Sequence, residues 1–197
     1  MRTKLISVAA VLLLPLSSFG AGGYAGSFLD LGAGARPSAM GGAFTAVSDD
    51  AIALFWNPAG LAGVSGKQLA LSYGEMFLGR KQGCVSFASG GFGLGLFSYG
   101  VGGISRRDEG GRPQGEFGSC ENALLVAYAR SLKWEGFELM VGGGGKFFYQ
   151  MLAGHNAIGY GVDVGLFAQV RIPFGGFSFG TAFRNLRARL RWDTEHE

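Results

Sequence analysis

The chain has 197 residues, 48% hydrophobic and 13% aromatic but only 16% charged, with 37 glycines and a formal charge of +3. An ordinary water-soluble domain carries about a quarter charged residues and about 7% glycine. The aromatic content excludes a disordered low-complexity chain, the lack of a G-X-Y period excludes collagen, and two cysteines exclude a dense disulfide framework. What remains is a structured chain of about one domain that tolerates contact with apolar surroundings.

Residues 1–20 read as an export signal. Arg2 and Lys4 form a basic start, residues 5–16 an apolar run, and Ser18 and Gly20 the small residues of a cleavage site. The run is shorter than the roughly 20 residues that a membrane-spanning helix requires, and no cysteine follows it to carry a lipid. Removing Arg2 and Lys4 from 17 basic and 14 acidic side chains leaves a charge of +1, a balance that argues against nucleic acid as a partner. No later apolar run is long enough for a spanning helix. Hydrophobicity this high then points to a large core or to a lipid-facing β-barrel.

Residues 21–66 differ in texture from the rest of the chain. Ser38 is placed to cap a short helix carrying Met40, Phe44 and Val47. Asp49 or Asp50 can cap a second helix through Ile52, Leu54 and Phe55, and capping explains these two carboxylates more cheaply than a metal or acid–base pair. Asn57 ends that helix, because a residue before proline is pushed out of the α region. It can in turn cap a further turn with Pro58 at the first position.

From Lys67 onward the sequence alternates with a period of two, and strands are expected near 67–75, 83–90, 92–101, 121–131, 137–150, 159–171 and 176–184. Phe137, Leu139, Val141, Phe147 and Tyr149 share one face, with Glu138, Lys146 and Gln150 on the other. Tyr160, Val162, Val164, Leu166, Ala168 and Val170 line one face against Asp163, Gln169 and Arg171, interrupted by Phe167. Apolar-out, polar-in alternation over about ten residues is the signature of a transmembrane barrel strand, and it makes Glu138, Lys146, Asp163 and Arg171 candidates for the lumen. Tyr73, Tyr99, Tyr128, Trp134, Tyr149, Tyr160 and Trp192 fall near strand ends, where a membrane interface favours aromatics. A soluble β-sandwich also alternates, but its strands are shorter, about 5–6 residues. Residues 102–120 read as a long, charged, glycine-rich loop able to meet a partner. Near Asn185 the apolar parity changes, so a bulge or the start of another strand is expected there.

The stretch from Gly34 to Ala62, GARPSAMGGAFTAVSDDAIALFWNPAGLA, resembles the N-terminal signature of the PorV/PorQ family, relatives of the FadL-type outer-membrane barrels. The pieces that match are GAR at 34–36, MGGAF at 40–44, DDA at 49–51 and WNPAGLA at 56–62. The run YGVDVGLFAQVRIPFGGFSFGTAFRNL is more loosely similar to the family's later strands. The resemblance implies an all-β, antiparallel transmembrane β-barrel, monomeric and embedded in outer-membrane lipid, with a short helical plug. Asp49, Asp50, Trp56, Asn57, Pro58, Ala59 and Gly60 would form the plug motif. It implies passive passage of small hydrophobic or amphipathic compounds, or else a type IX secretion role binding cargo or machinery. Family barrels have about fourteen strands, whereas residues 67–197 hold room for seven or eight. The chain is therefore expected to represent part of a larger barrel, with a complete eight-stranded barrel as the alternative.

An enzyme finds little support. His155 and His196 cannot build a His-rich metal centre. GGGGKF at 142–147 imitates a phosphate loop but lacks the Ser or Thr after Lys146 and lies in a strand pattern. No G-x-S-x-G and no C-x-x-C occur, so no cofactor, metal or catalytic residue is expected. Cys84 and Cys120 leave their pairing open.

Overall fold

The computed structural model describes residues 25–193; the export-signal reading of residues 1–20 lies outside the described residues. Seven antiparallel strands form one sheet in chain order: β1 Lys67–Met76, β2 Arg80–Ser89, β3 Phe92–Arg107, β4 Pro113–Trp134, β5 Phe137–Leu152, β6 His155–Ile172 and β7 Gly175–Trp192. Each strand pairs with its neighbour in sequence, and the sheet stays open, with β1 and β7 as its edges. Antiparallel neighbours need only tight connections. Gly91, Gly136 and Gly154 provide the positive φ for three of them. Strands β3 to β7 run from 16 to 22 residues, well past the usual upper length of about 10.

Cross-strand pairing sorts the side chains into two unlike faces. One row reads Leu71, Val85, Leu96, Leu124, Phe147 and Tyr160; the row beside it, on the opposite face, reads Ala70, Ser86, Gly95, Leu125, Lys146 and Gly161. The face of large apolar residues is the uncovered one: Leu71 is 81% exposed and Tyr128 56%. The face of small and polar residues is covered by the N-terminal segment. Large apolar side chains therefore stand on the uncovered face as well as among the core residues Phe97, Leu125 and Phe148 of the covered one, whereas the open face of a water-soluble antiparallel sheet is polar.

The covering segment consists of a 3₁₀ turn Ser27–Leu31, helix α1 Ala35–Ala39, helix α2 Ala53–Trp56 and a 3₁₀ turn Pro58–Gly63. Its side chains Phe28, Phe44, Leu54, Phe55 and Leu61 form one core with Cys84 and Ala88 of β2, Phe97 of β3, Ala123 and Leu125 of β4 and Phe148 of β5; Ala188 and Leu190 of β7 pack against it. Strands β2 and β7 are separated by about 24 Å along a flat sheet. Both border one cluster because the covering segment and the inward side chains of β3 to β5 fill the span between them.

Several expected features take another form. The helix expected from Ser38 onward is instead α1, which contains Ser38. The Ser38 hydroxyl donates back to the Gly34 carbonyl at 2.9 Å rather than capping. Gly41 and Gly42, at φ 63° and 81°, then break the helix, so Met40 to Val47 form turns. Residues 102–120 are not a loop but a hairpin: Ile104 pairs with Phe117 and Arg107 with Pro113, leaving residues 108–112 as the tip. Glycines at φ 68° (Gly103) and 101° (Gly115) absorb the irregular register while pairing continues.

At Asn185 the strand continues and no eighth strand begins. Val164 pairs with Phe183, Val162 with Leu186 and Tyr160 with Arg189, so β7 holds an extra residue in two successive intervals. Asn185 (φ 57°) and Arg187 (φ 50°) take up these bulges. Two shifts restore the original parity, leaving Leu186, Arg189 and Arg191 on the uncovered face and Leu190 and Trp192 on the covered one. Of the seven aromatics assigned to an interface, Tyr73, Tyr128, Trp134, Tyr149 and Tyr160 lie on the uncovered face. Tyr99 packs against the core and Trp192, opposite Ala157, faces inward.

Candidate functional site

The inner face gathers the motif residues Trp56 to Gly60 and, of the predicted polar residues, Lys146 and Asp163. The Trp56 indole donates to the Ala33 carbonyl at 2.8 Å and meets Phe44 edge to face at 6.1 Å. Asn57 ends α2 in an extended conformation (φ −148°, ψ 102°), as a residue before proline should. Its Oδ1 accepts from the Ala59 N–H at 3.1 Å, the expected cap. Its Nδ2 donates to the Thr45 carbonyl at 2.9 Å and to the Leu166 carbonyl of β6 at 3.1 Å. One buried amide thus ties two parts of the segment to each other and to the sheet.

Glycines in the strands make room for this seat. A Cβ on Gly165 would stand 2.0 Å from Asn57 Oδ1, and one on Gly142 2.6 Å from the Pro58 carbonyl oxygen. Within the motif, a Cβ on Gly60 would meet the Ser48 carbonyl at 2.1 Å. Phe167, which interrupts the alternation expected of β6, belongs to the covered face and packs with Ala59 and Met140.

The two aspartates divide their work. Asp50 Oδ1 accepts from the Ile52 N–H at 2.9 Å, which closes the turn before α2 and does not cap the helix: its cap position is Ile52, and no side chain caps it. Asp49 is bound to Arg36, whose guanidinium also reaches Asp50 Oδ2 at 3.1 Å. The hydrogen bond that Arg36 donates to Asp49, followed by the Asp49 charge and by Asp50, raises the Arg36 pKa above its already high ordinary value. Arg36 also stands over the Phe44 ring at 5.1 Å, and Arg184 of β7 over the Trp56 ring at 5.8 Å while pairing with Asp30 at 3.1 Å. Two cations therefore bracket this aromatic pair, one over each ring.

Lys146 and Asp163 form a buried ion pair at 2.7 Å, with side chains 2% and 4% exposed. Asn185 completes it: its Oδ1 accepts from Lys146 Nζ at 3.0 Å, and its backbone N–H donates to Asp163 Oδ1 at 2.9 Å. Desolvating two charges is tolerable only when such geometry and additional hydrogen bonds compensate. The left-handed backbone of Asn185 is what aims both groups at the pair. Sequence reasoning picked out Lys146 and Asp163 but not Asn185 as their third member; the parity change around it was the available signal.

Glu138 and Arg171 share the inner parity but do not join this network. They flank a shallow pocket at the sheet end with Lys133, Trp134 and Gln169. Glu138 accepts from Ser131 Oγ and lies 3.4 Å from Lys133 Nζ, and Arg171 is exposed. Cys84 is buried on the inner face, whereas Cys120, opposite Gly100 and Met151, belongs to the outer rows; both are free. Among the described residues no three His, Cys, Asp or Glu converge as a metal set. No protein-family model, no curated protein and no solved structure matches the chain.

Proposed function

We propose that this protein is an outer-membrane component of the PorV/FadL type, in which residues 25–64 plug a wall of transmembrane strands that admits small hydrophobic or amphipathic compounds. The observation that carries this reading is the course of the apolar band on the uncovered face. On β1 it lies between Lys67 and Glu75, and on β4 between Asn122 and Arg130; on β7 it runs from Phe177 to Leu186 and stops at Arg189. In cross-strand register both of its borders shift the same way from β1 to β4 to β7, while on β5 and β6 the band is broader, from Phe137 to Met151 and from Ile158 to Val170. A band oblique to the strands is what a bilayer imposes on strands tilted by about 45°. Inside these borders the band covers seven residues on β1 and on β4 and ten on β7, the last matching the roughly 9–11 residues that such a crossing takes.

The open edges define what completes the wall. Seven alternating strands leave β1 and β7 running in the same direction. Antiparallel closure therefore takes an odd number of further strands, from the same polypeptide or from a partner, and unpaired edges do not persist in lipid. The reading assigns no catalytic residue and no cofactor. A role in secretion is the second reading, favoured by the β3–β4 hairpin, which projects past its neighbours β2 and β5 and carries Arg106, Arg107, Asp108, Glu109 and Arg112 at or near its tip.

Membrane fractionation tests the location: the chain is expected to resist alkaline carbonate and to float with the outer membrane, and recovery in the soluble periplasm overturns it. Efflux of an apolar dye from vesicles tests passage, with faster efflux expected when Asn57 is replaced by Asp to unseat the plug. Unchanged efflux with an unseated plug removes the transport reading. Loss of a copurifying protein on excision of residues 104–117 then favours the secretion reading.

A further inference from the structure

We infer that Arg189 and Arg191 of β7 form a docking site for the phosphate of an anionic membrane lipid, an inference that rests on the membrane reading above. The two bulges at Asn185 and Arg187 cancel in parity, so both arginines stand on the uncovered face, and they set Arg189 opposite Tyr160 rather than further along β6. Arg189 lies opposite Tyr160 and Arg191 opposite Ile158, which is itself paired with Tyr149. They sit at the end of the apolar band, directly past Leu186, where headgroups meet the hydrocarbon layer. Arg187 is exposed between them and the band.

Among the described residues none of these three guanidiniums has a carboxylate partner. The nearby Asp193 is instead engaged by Asn156, whose backbone N–H donates to it at 2.8 Å and whose side chain reaches it at 3.3 Å. Alternate residues on one strand face stand roughly 7 Å apart, so two guanidinium forks can hold one phosphate between them. Tyrosine rings level with them, Tyr160 opposite Arg189 and Tyr149 in the row of Arg191, suit the interfacial level of a lipid. A free phosphate ion offers the same charge, but it gains nothing from the apolar rows of Tyr160, Val162 and Val164 just below, along which an attached acyl chain would lie. A lipid is therefore the occupant.

The full chain is incubated with vesicles of phosphatidylcholine alone and of phosphatidylcholine with phosphatidylglycerol, and incorporation is measured by flotation. Incorporation into the neutral vesicles reports the membrane reading by itself, and its failure there removes that reading and this site together. The site predicts a preference for the anionic vesicles that falls roughly five-fold for Arg189→Gln or Arg191→Gln singly, with neutral-vesicle incorporation unchanged. The control Arg106→Gln/Arg107→Gln, on the projecting hairpin, is expected to keep the preference. An unchanged preference in the β7 variants overturns the site while leaving the membrane reading intact. Equal losses in the hairpin control reveal diffuse attraction and also overturn it. Abolition of the preference by inorganic phosphate at constant ionic strength assigns the site to the free ion, which overturns the lipid as occupant.

Discussion

The Asn57 side chain donates to Thr45 and Leu166 and accepts from Ala59, all away from water. Aspartate has nearly the same shape but turns a donor pair into acceptors facing two carbonyl oxygens. Asn57→Asp is therefore expected to loosen the segment more than Asn57→Ala, which leaves the partners unsatisfied at a cost of about 1–3 kcal/mol. Hydrogen exchange at the Ala59 amide ranks the variants; protection in the Asp variant equal to wild type contradicts the role. The Lys146–Asp163 pair gives a second residue-scale expectation. Lys146→Met or Asp163→Asn alone strands a buried partner and costs about 3–5 kcal/mol. The double change retains an oxygen for the Asn185 N–H and removes both charges, so it recovers more than half of that loss in denaturant titrations. A double variant as weak as the sum of the singles shows that the pair is not coupled.

At the level of elements, strand and segment are matched by what the strands omit. Gly142 and Gly165 leave the backbone bare where residues 57–59 approach it, and Gly180 does so for Thr45, whose carbonyl would lie 2.4 Å from a Cβ there. Gly145 belongs to the outer face and a Cβ there meets nothing within 4 Å. Gly165→Ala is thus expected to displace the segment, with a loss of about 1–3 kcal/mol from overpacking, and Gly145→Ala to change little. Limited proteolysis between residues 40 and 66 distinguishes them, and equal resistance of the two variants refutes the seat. The same contrast explains what the sequence made legible. A period of two is written locally, so the strands and their faces can be read from neighbours, and the Asn57 cap needs only residues 57–59. The hydrogen bond from Asn57 to Leu166 joins positions 109 residues apart in the chain, and local patterning holds no trace of it. The hairpin at 102–120 and the second bulge at Arg187 were hidden for a related reason: glycine-rich or charged strands still pair through the backbone, which side-chain periodicity does not record.

Across the whole molecule, solvent decides which face is out. Glycine abundance and scarce charge, the first properties of the sequence, belong to different sides of the sheet. Many of the strand glycines line the covered face, and the missing charge is the oblique band of the uncovered one. In water that band would be a contiguous apolar surface far larger than monomers expose; in a bilayer it is the matched face. Val126 lies within it, opposite Leu94 on β3, with Leu124 and Tyr128 on the same face of β4. Val126→Arg separates the two environments. On a lipid-facing barrel strand an arginine near the midplane costs about 2–4 kcal/mol, whereas on a water-exposed sheet a surface substitution stays within about 0.5 kcal/mol. Folding into phosphatidylcholine vesicles is therefore expected to fall sharply for Val126→Arg, while Ser105→Arg, on the projecting hairpin beyond the band, folds as wild type does. A Val126→Arg protein that folds as well as wild type and gains solubility without lipid places that face in water. The apolar surface of β1 to β7 would then require a protein cover instead.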